Sequence, residues 1–249
     1  KLNLIVTKLR YHIAVCSKTQ ADNLVKLATI CWEYLNKTKS VNNDQCCFEM
    51  KQCIFIVMIC EMLPRFPAEV YVPIPESELF PGVCEEQNFE ENQTTLTLTI
   101  FEESWVSTGF YLPAGSIGTV GVENNKSISD VHFQIGAHHE SLTNKPFPWK
   151  RWPIIILPFD MEEGQNKLGS PFGGPIYIAA SEDLEGTATF DLTFQHFIKY
   201  PRWVYNDPKV WEETKDKKVP IGEIECENVI FTLPAKYMKM IDFKNYYLC

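Results

Sequence analysis

The tightest constraint on the fold of this chain is a change of hydrophobic period across a run of prolines. From Ser17 to Leu35 apolar residues recur at Ala21, Leu24, Val25, Ala28, Cys31, Trp32 and Leu35. That is the i, i+3, i+4, i+7 stripe of one helix face, and Ser17 stands where an N-cap belongs. Asn42-Asn43-Asp44 reads as a turn or cap. Cys46 to Leu63 then reads as a second, more thoroughly buried helix that stops at Pro64. Pro64, Pro67, Pro73, Pro75 and Pro81 interrupt everything up to Gly82, which predicts an extended tether.

Beyond the prolines the period becomes two. Thr94 to Phe101 sets Leu96, Leu98 and Ile100 on one face and threonines on the other, the alternation of a half-buried strand. Further strands are expected at Val106–Leu112, Ile117–Val122, Val131–Ile135, Pro153–Phe159, Pro175–Ala179, Ala188–Phe194 and Ile224–Leu233. A short helix is expected at Asp207-Pro208. The fold class that follows is mainly β: a β-sandwich of about eight strands, preceded by a helical segment that reads as the tail of an α/β domain. The divisions are 1–66 helical, 67–93 proline-rich linker and 94–249 sandwich.

Charge narrows the function classes. Lys+Arg 23 against Asp+Glu 32 gives a net charge of −9, which repels phosphate backbones, so nucleic acid is not an expected partner. The most apolar run, Cys53 to Cys60, is far shorter than the roughly 20 residues of a spanning helix, so direct membrane insertion is not expected either. No secretory signal is read at Lys1–Val6, and the sequence reads as an excerpt of a longer chain. Nine cysteines, six of them within the first sixty residues, include Cys31, Cys53 and Cys60 inside helical patterns, where a reduced thiol acts as a small hydrophobe. This predicts reduced cysteines and a cytoplasmic setting, against which the sequons at Asn36, Asn92 and Asn125 weigh little.

Catalytic constellations are missing from the chain. A zincin needs HExxH; His139-Glu140-Ser141-Leu142-Thr143 has Thr where the second ligand belongs, and no third ligand is evident beside His138-His139. His12, His132 and His196 are single. No Gly-x-Ser-x-Gly elbow occurs, and Cys84 and Cys226, the least clearly buried thiols, have Glu neighbours that raise rather than lower a thiol pKa. Neither catalytic nor metal-binding residues are therefore assigned. Trp149 and Trp152 are candidates for stacking on a ligand such as a glycan.

Four collinear segments carry a resemblance. Trp105-Val106-Ser107-Thr108-Gly109-Phe110-Tyr111-Leu112-Pro113-Ala114-Gly115 resembles the W-x-S-T-G-x-Y-x-P-x-G opening of the enhancin-like, or M-sixty, peptidase domain. Gln134-Ile135-Gly136-Ala137-His138 resembles its Q-I-G-x-H, Trp152-Pro153 precedes an apolar strand as there, and Phe172-Gly173-Gly174-Pro175-Ile176-Tyr177-Ile178 resembles its G-G-x-x-Y-I. The Val-Ser-Thr-Gly wording and the Phe80-Pro81-Gly82-Val83 lead-in are most similar to the TRP channel-associated factors. The resemblance implies a β-sandwich ahead of a peptidase centre, with zinc only if an HExxH lies downstream. The motif residues Trp105, Gly109, Tyr111, Pro113, Gly115, Gly136, His138, Gly173, Gly174 and Tyr177 are then structural. Gly109, Pro113 and Gly115 would shape a turn, and Gly136, Gly173 and Gly174 would allow tight strand entry. As partner it implies a membrane channel of TRP type, bound on its cytosolic side, with the protein peripheral at the plasma membrane and influencing channel trafficking or gating.

Overall fold

The computed structural model describes residues 17–37, 43–86, 89, 93–123, 128–145 and 149–243. His12, Cys16, Cys46, Cys47, Cys249 and the sequon residues Asn36, Asn92 and Asn125 fall outside the described side chains.

Helix α1 (Lys18–Lys37) starts where the pattern places it. Ser17 and Gln20 close a reciprocal cap: the Gln20 amide donates to Ser17 Oγ (3.3 Å) and the Ser17 amide donates to Gln20 Oε1 (2.9 Å). Its buried stripe is Ala21, Val25, Ala28, Trp32 and Leu35. Helix α2 (Asn43–Met62) follows and passes into a 3₁₀ turn at Leu63–Arg65.

The proline segment is not a tether. It folds as 3₁₀ turns at Leu63–Arg65, Ala68–Val70 and Pro75–Glu78, and Phe66, Val70, Tyr71 and Ile74 are buried in one core with both helices and with Trp149, Trp152, Ile155, Leu157 and Phe172. The Ile74 amide donates to the Pro171 carbonyl at 3.0 Å, and Tyr71 Oη reaches the carbonyls of Leu63 and Phe66. Proline fixes φ and removes a donor, and here the apolar residues between the prolines supply the burial that a solvated linker lacks. Trp149 and Trp152 are consumed in the same way, which corrects their reading as ligand-stacking residues. Their rings lie 6.5 and 6.0 Å from that of Trp32, nearly parallel to it, and Trp152 is 1% exposed.

The described residues form twelve strands. Strands β1 (Thr94–Phe101), β8 (Thr187–Gln195), β3 (Ile117–Val122) and β6 (Gly164–Gly169) make an antiparallel sheet in the order β1-β8-β3-β6. Strands β5 (Leu157–Asp160), β4 (Val131–Ile135), β7 (Gly174–Ala180), β2 (Trp105–Leu112) and β9 (Ile198–Lys199) make a second, in the order β5-β4-β7-β2-β9. Between them lies a core that includes Ile100, Phe110, Val120, Phe133, Ile176 and Phe194, contributed by the inward faces of both sheets as in a sandwich. The threonine face of β1 stays outside and pairs across to β8, Thr95 with Thr193 at 3.1 Å and Thr99 with Thr189 at 2.9 Å.

A third sheet joins β10 (Arg202–Val204), β11 (Ile221–Glu225) and β12 (Ile230–Pro234), with helices α3 (Pro208–Thr214) and α4 (Ala235–Met238) beside it. The sequence reads one strand over Ile224–Leu233; the chain instead turns back, Cys226 N–H donating to the Val229 carbonyl at 2.9 Å, so β11 and β12 are a hairpin. β6, whose Gly-Gln-Asn-Lys opening carries little strand propensity, is held by pairing with β3 from Ile117 opposite Gly169 to Val122 opposite Gly164. The Pro153–Phe159 strand shrinks to Leu157–Asp160, because Trp152 and Ile155 are turned into the helix-facing core.

The thiols divide. Cys31, Cys53, Cys60 and Cys84 are free, and burial pushes the Cys60 thiol up to about 12. Cys226, read from sequence as one of the least clearly buried thiols, is buried and disulfide-bonded, which corrects the expectation of a wholly reduced set. Among the described residues no helix is long and apolar enough to cross a membrane.

Candidate functional site

The motif segments that are scattered in sequence are neighbours in the second sheet. Three of them supply its adjacent strands β4, β7 and β2, in which Tyr177 stands opposite both Ser107 and Gln134, and Trp105 stands opposite Ala179. Side chains alternate along a strand, so Trp105, Ser107, Tyr177 and Gln134 share the face turned away from the sandwich core. His132 is on this face too, half-buried, its pKa lowered by burial.

At the centre of that face is a carboxylate that sequence reasoning missed. Glu223 of β11 is 0% exposed. Tyr177 Oη donates to its Oε1 and Tyr200 Oη to its Oε2, and Ser107 Oγ donates to Oε2 at 2.7 Å. Ser107 and Tyr200 are themselves 2.7 Å apart. Burial raises the Glu223 carboxyl pKa, while the three hydroxyls and Arg202 act to lower it; both phenols are pushed well above their ordinary range by burial and by this carboxylate. Beside it Arg202 Nε donates to Glu225 Oε2 at 2.9 Å. The group therefore pins the third sheet to the second. Sealed from solvent, it has no access for a substrate to exchange protons with it.

Around this pin the motif residues fall into place. Gly109 lies inside β2 at a bulge between Ser107 and Tyr111, not in a turn as expected, and adopts φ +75°; a Cβ there would come within 2.9 Å of Arg202 Nη1. Pro113 and Gly115 do lie in the β2–β3 connection, Gly136 follows β4, and Gly174 opens β7. Tyr111 is buried with Ile198, Tyr200 and Val219. Gly173 has φ +70°, and a Cβ would meet the Ala114 amide nitrogen at 2.7 Å and the Leu112 carbonyl at 2.8 Å. Backbone cannot yield as a flexible side chain does, so Gly173→Ala is expected to lower stability by about 2–3 kcal/mol, read from the urea midpoint at constant m-value.

The accessible margin of the face is aromatic and imidazole. Trp105 is 37% exposed and sits edge-on to Tyr177, ring centroids 4.6 Å apart. His139 is exposed, 6.1 Å from Trp105 between ring centres, and its Nε2 is 2.9 Å from Gln134 Nε2; Gln134 also donates to the Gly136 carbonyl at 2.8 Å. His138 points elsewhere, packing on Phe80 at 4.6 Å, with Arg151 5.7 Å from the same ring; burial lowers its pKa, and Arg151 and His139 add to this. A zinc ion does not fit these residues. Among the described residues no three His, Cys, Asp or Glu side chains converge, and the two adjacent imidazoles face different neighbours.

Comparison with known proteins agrees with the motifs. Residues 87–194 match the family model for the N-terminal domain of M60-like peptidases. The chain is 24% identical over 171 residues to TRPM8 channel-associated factor 3 of Rattus norvegicus, an alignment that takes in 68% of this chain and 18% of that protein. It is 27% identical over 142 residues to TRPM8 channel-associated factor 2 of Mus musculus, covering 55% and 15%. The chain thus spans under a fifth of the length of the curated relatives it matches. Among solved structures, the IMPa metallopeptidase from Pseudomonas aeruginosa superposes with a TM-score of 0.56 over 86% of this chain and 28% of that one, at 13% identity, a likeness of fold.

Proposed function

We propose, from the premise that residues 87–194 carry an M60-like N-terminal domain, that this chain is a non-catalytic binding module of a TRPM8 channel-associated-factor-like protein. In this reading it contacts the cytosolic side of a TRP-type cation channel and influences the channel's trafficking or gating. It would be cytoplasmic, peripheral at the plasma membrane through that partner. The observation that carries the reading is the sequence similarity over 171 residues to a protein named for its association with TRPM8. The site supports it in kind: Trp105 and His139 offer an aromatic, hydrogen-bonding margin on a rigid base, the composition favoured at protein interfaces.

The test is capture of the cytosolic termini of a TRPM8-type channel by the immobilised chain. Trp105→Ala is expected to reduce capture about tenfold, the loss typical of an interface anchor, while changing stability by about 1 kcal/mol or less, because the ring is partly exposed. Undiminished capture by the folded variant overturns the assignment of this face.

A second reading is favoured by the likeness of fold to the IMPa metallopeptidase: the chain would be an accessory sandwich of an active zinc metallopeptidase acting on glycoproteins, its HExxH supplied by sequence beyond Cys249. Reading the native transcript past that codon, together with stoichiometric zinc in the mature protein, separates the two.

A further inference from the structure

A groove of about 590 Å³ is formed where the Phe80-Pro81-Gly82-Val83 lead-in meets the Lys217–Pro220 loop before β11 and the Pro234–Lys239 segment after β12. Its rim is cationic: Lys217, Lys218, Lys236 and Lys239 line it, against the single carboxylate of Glu85. In a chain of net charge −9 this is a local reversal of sign. None of the four lysines makes an ion pair among the described residues, and Lys236 lies 5.0 Å from the centre of the Tyr237 ring.

Between these charges the groove is apolar and open. Leu79 is 81% exposed, Val83 55% and Tyr237 50%. The walls are fixed by backbone bonds: the amides of Glu85 and Glu86 donate to the Lys218 carbonyl at 3.0 and 3.1 Å, and the Ala235 amide donates to the Pro220 carbonyl at 2.9 Å.

We infer that this groove docks an acidic polypeptide segment of another protein, one in which carboxylates alternate with large apolar side chains. Charge complementarity carries the inference. An acidic partner is repelled by the chain as a whole and attracted at this rim, so the local field orients its approach. The exposed apolar residues supply the burial that holds it. A concave groove admits inserted side chains, whereas a bilayer surface would need these residues on a protruding or flat face. The inference is independent of the channel reading above and concerns a different face.

Fluorescence anisotropy tests it, with the full chain titrated into a fluorescein-labelled peptide alternating Glu with Leu and Phe. Saturable binding that weakens as salt is raised is expected. The Lys218→Glu/Lys239→Glu double variant should bind about tenfold more weakly or worse, while Lys26→Glu/Lys167→Glu, which makes the same change in net charge elsewhere, should bind as the parent does. Thermal midpoints confirm that both variants fold. Equal binding of a matched peptide with Gln for Glu, undiminished binding by the groove variant, or binding to phosphatidylserine vesicles without binding to the peptide would each overturn the inference.

Discussion

Replacing Glu223 by Ala is expected to destabilise the protein by about 3–5 kcal/mol, among the larger effects a single substitution produces. The side chain is wholly buried and accepts from Tyr177, Tyr200 and Ser107. Truncation leaves three buried hydroxyls without their acceptor and opens a void between the second and third sheets, and an orphaned buried polar group costs far more than a hydrogen bond gains. Glu223→Gln keeps the shape and one carbonyl acceptor, so its cost is expected nearer 1–2 kcal/mol. Urea unfolding at neutral pH separates the two variants. If Glu223→Ala costs under about 1 kcal/mol, the carboxylate does not pin the sheets.

The same pair gives a pH signature. Burial raises the Glu223 carboxyl pKa above its ordinary value, so the fold prefers the protonated form. Its contribution is full below the unfolded value of about 4.3 and is lost as pH rises through the folded one. The amide of Glu223→Gln does not titrate. The stability of the parent relative to that variant is therefore expected to be greatest near pH 4 and to shrink toward neutrality. A difference that grows as pH rises would mean that the hydroxyls and Arg202 outweigh burial.

Trp32→Ala is expected to cost about 3–5 kcal/mol, the usual range for a buried aromatic. Trp32 is 2% exposed and its ring lies against Trp149 and Trp152 of the sandwich side. The informative readout is cooperativity. Helix ellipticity and tryptophan fluorescence are expected to change together in one transition at a lower denaturant concentration, because helices and proline segment share a core with Trp149, Trp152, Ile155, Leu157 and Phe172 at the edge of the sandwich. Loss of the helical signal alone, with the sandwich transition unmoved, would show an independent helical unit joined by a linker.

Much of the fold is legible wherever burial follows a regular period. The stripe Ala21, Val25, Ala28, Trp32, Leu35 and the alternation of Thr94–Phe101 each bury one face against a neighbour, so the pattern of side chains encodes the element directly. β6 and the short strands β9 and β10 leave no such imprint: Gly164–Gly169 is a strand because β3 offers its edge, and Arg202–Val204 because β11 lies parallel to it. The proline segment misleads for a related reason. Prolines set its local backbone, but whether it is solvated or packed depends on the apolar surface it finds, and it finds α1 and α2.

The candidate site divides in the same manner. Ser107 and Tyr177 stand out in sequence through the motifs that contain them, yet nothing in those motifs names Glu223, which lies 116 residues beyond Ser107 and 46 beyond Tyr177. A glutamate in a half-polar strand reads as a surface residue; it becomes a buried acceptor only when the β11–β12 hairpin folds onto the second sheet. By itself, then, the sequence determined the class of fold, the main strands and the family likeness, since periodicity and local motifs are properties of neighbouring residues. Only the tertiary structure decided that Trp149 and Trp152 are core and not ligand platforms, that a hidden carboxylate seats the motif hydroxyls, and that four lysines from the two ends of the β11–β12 hairpin rim one groove. Burial and charge clustering depend on which surfaces meet, and that is fixed by packing across the chain.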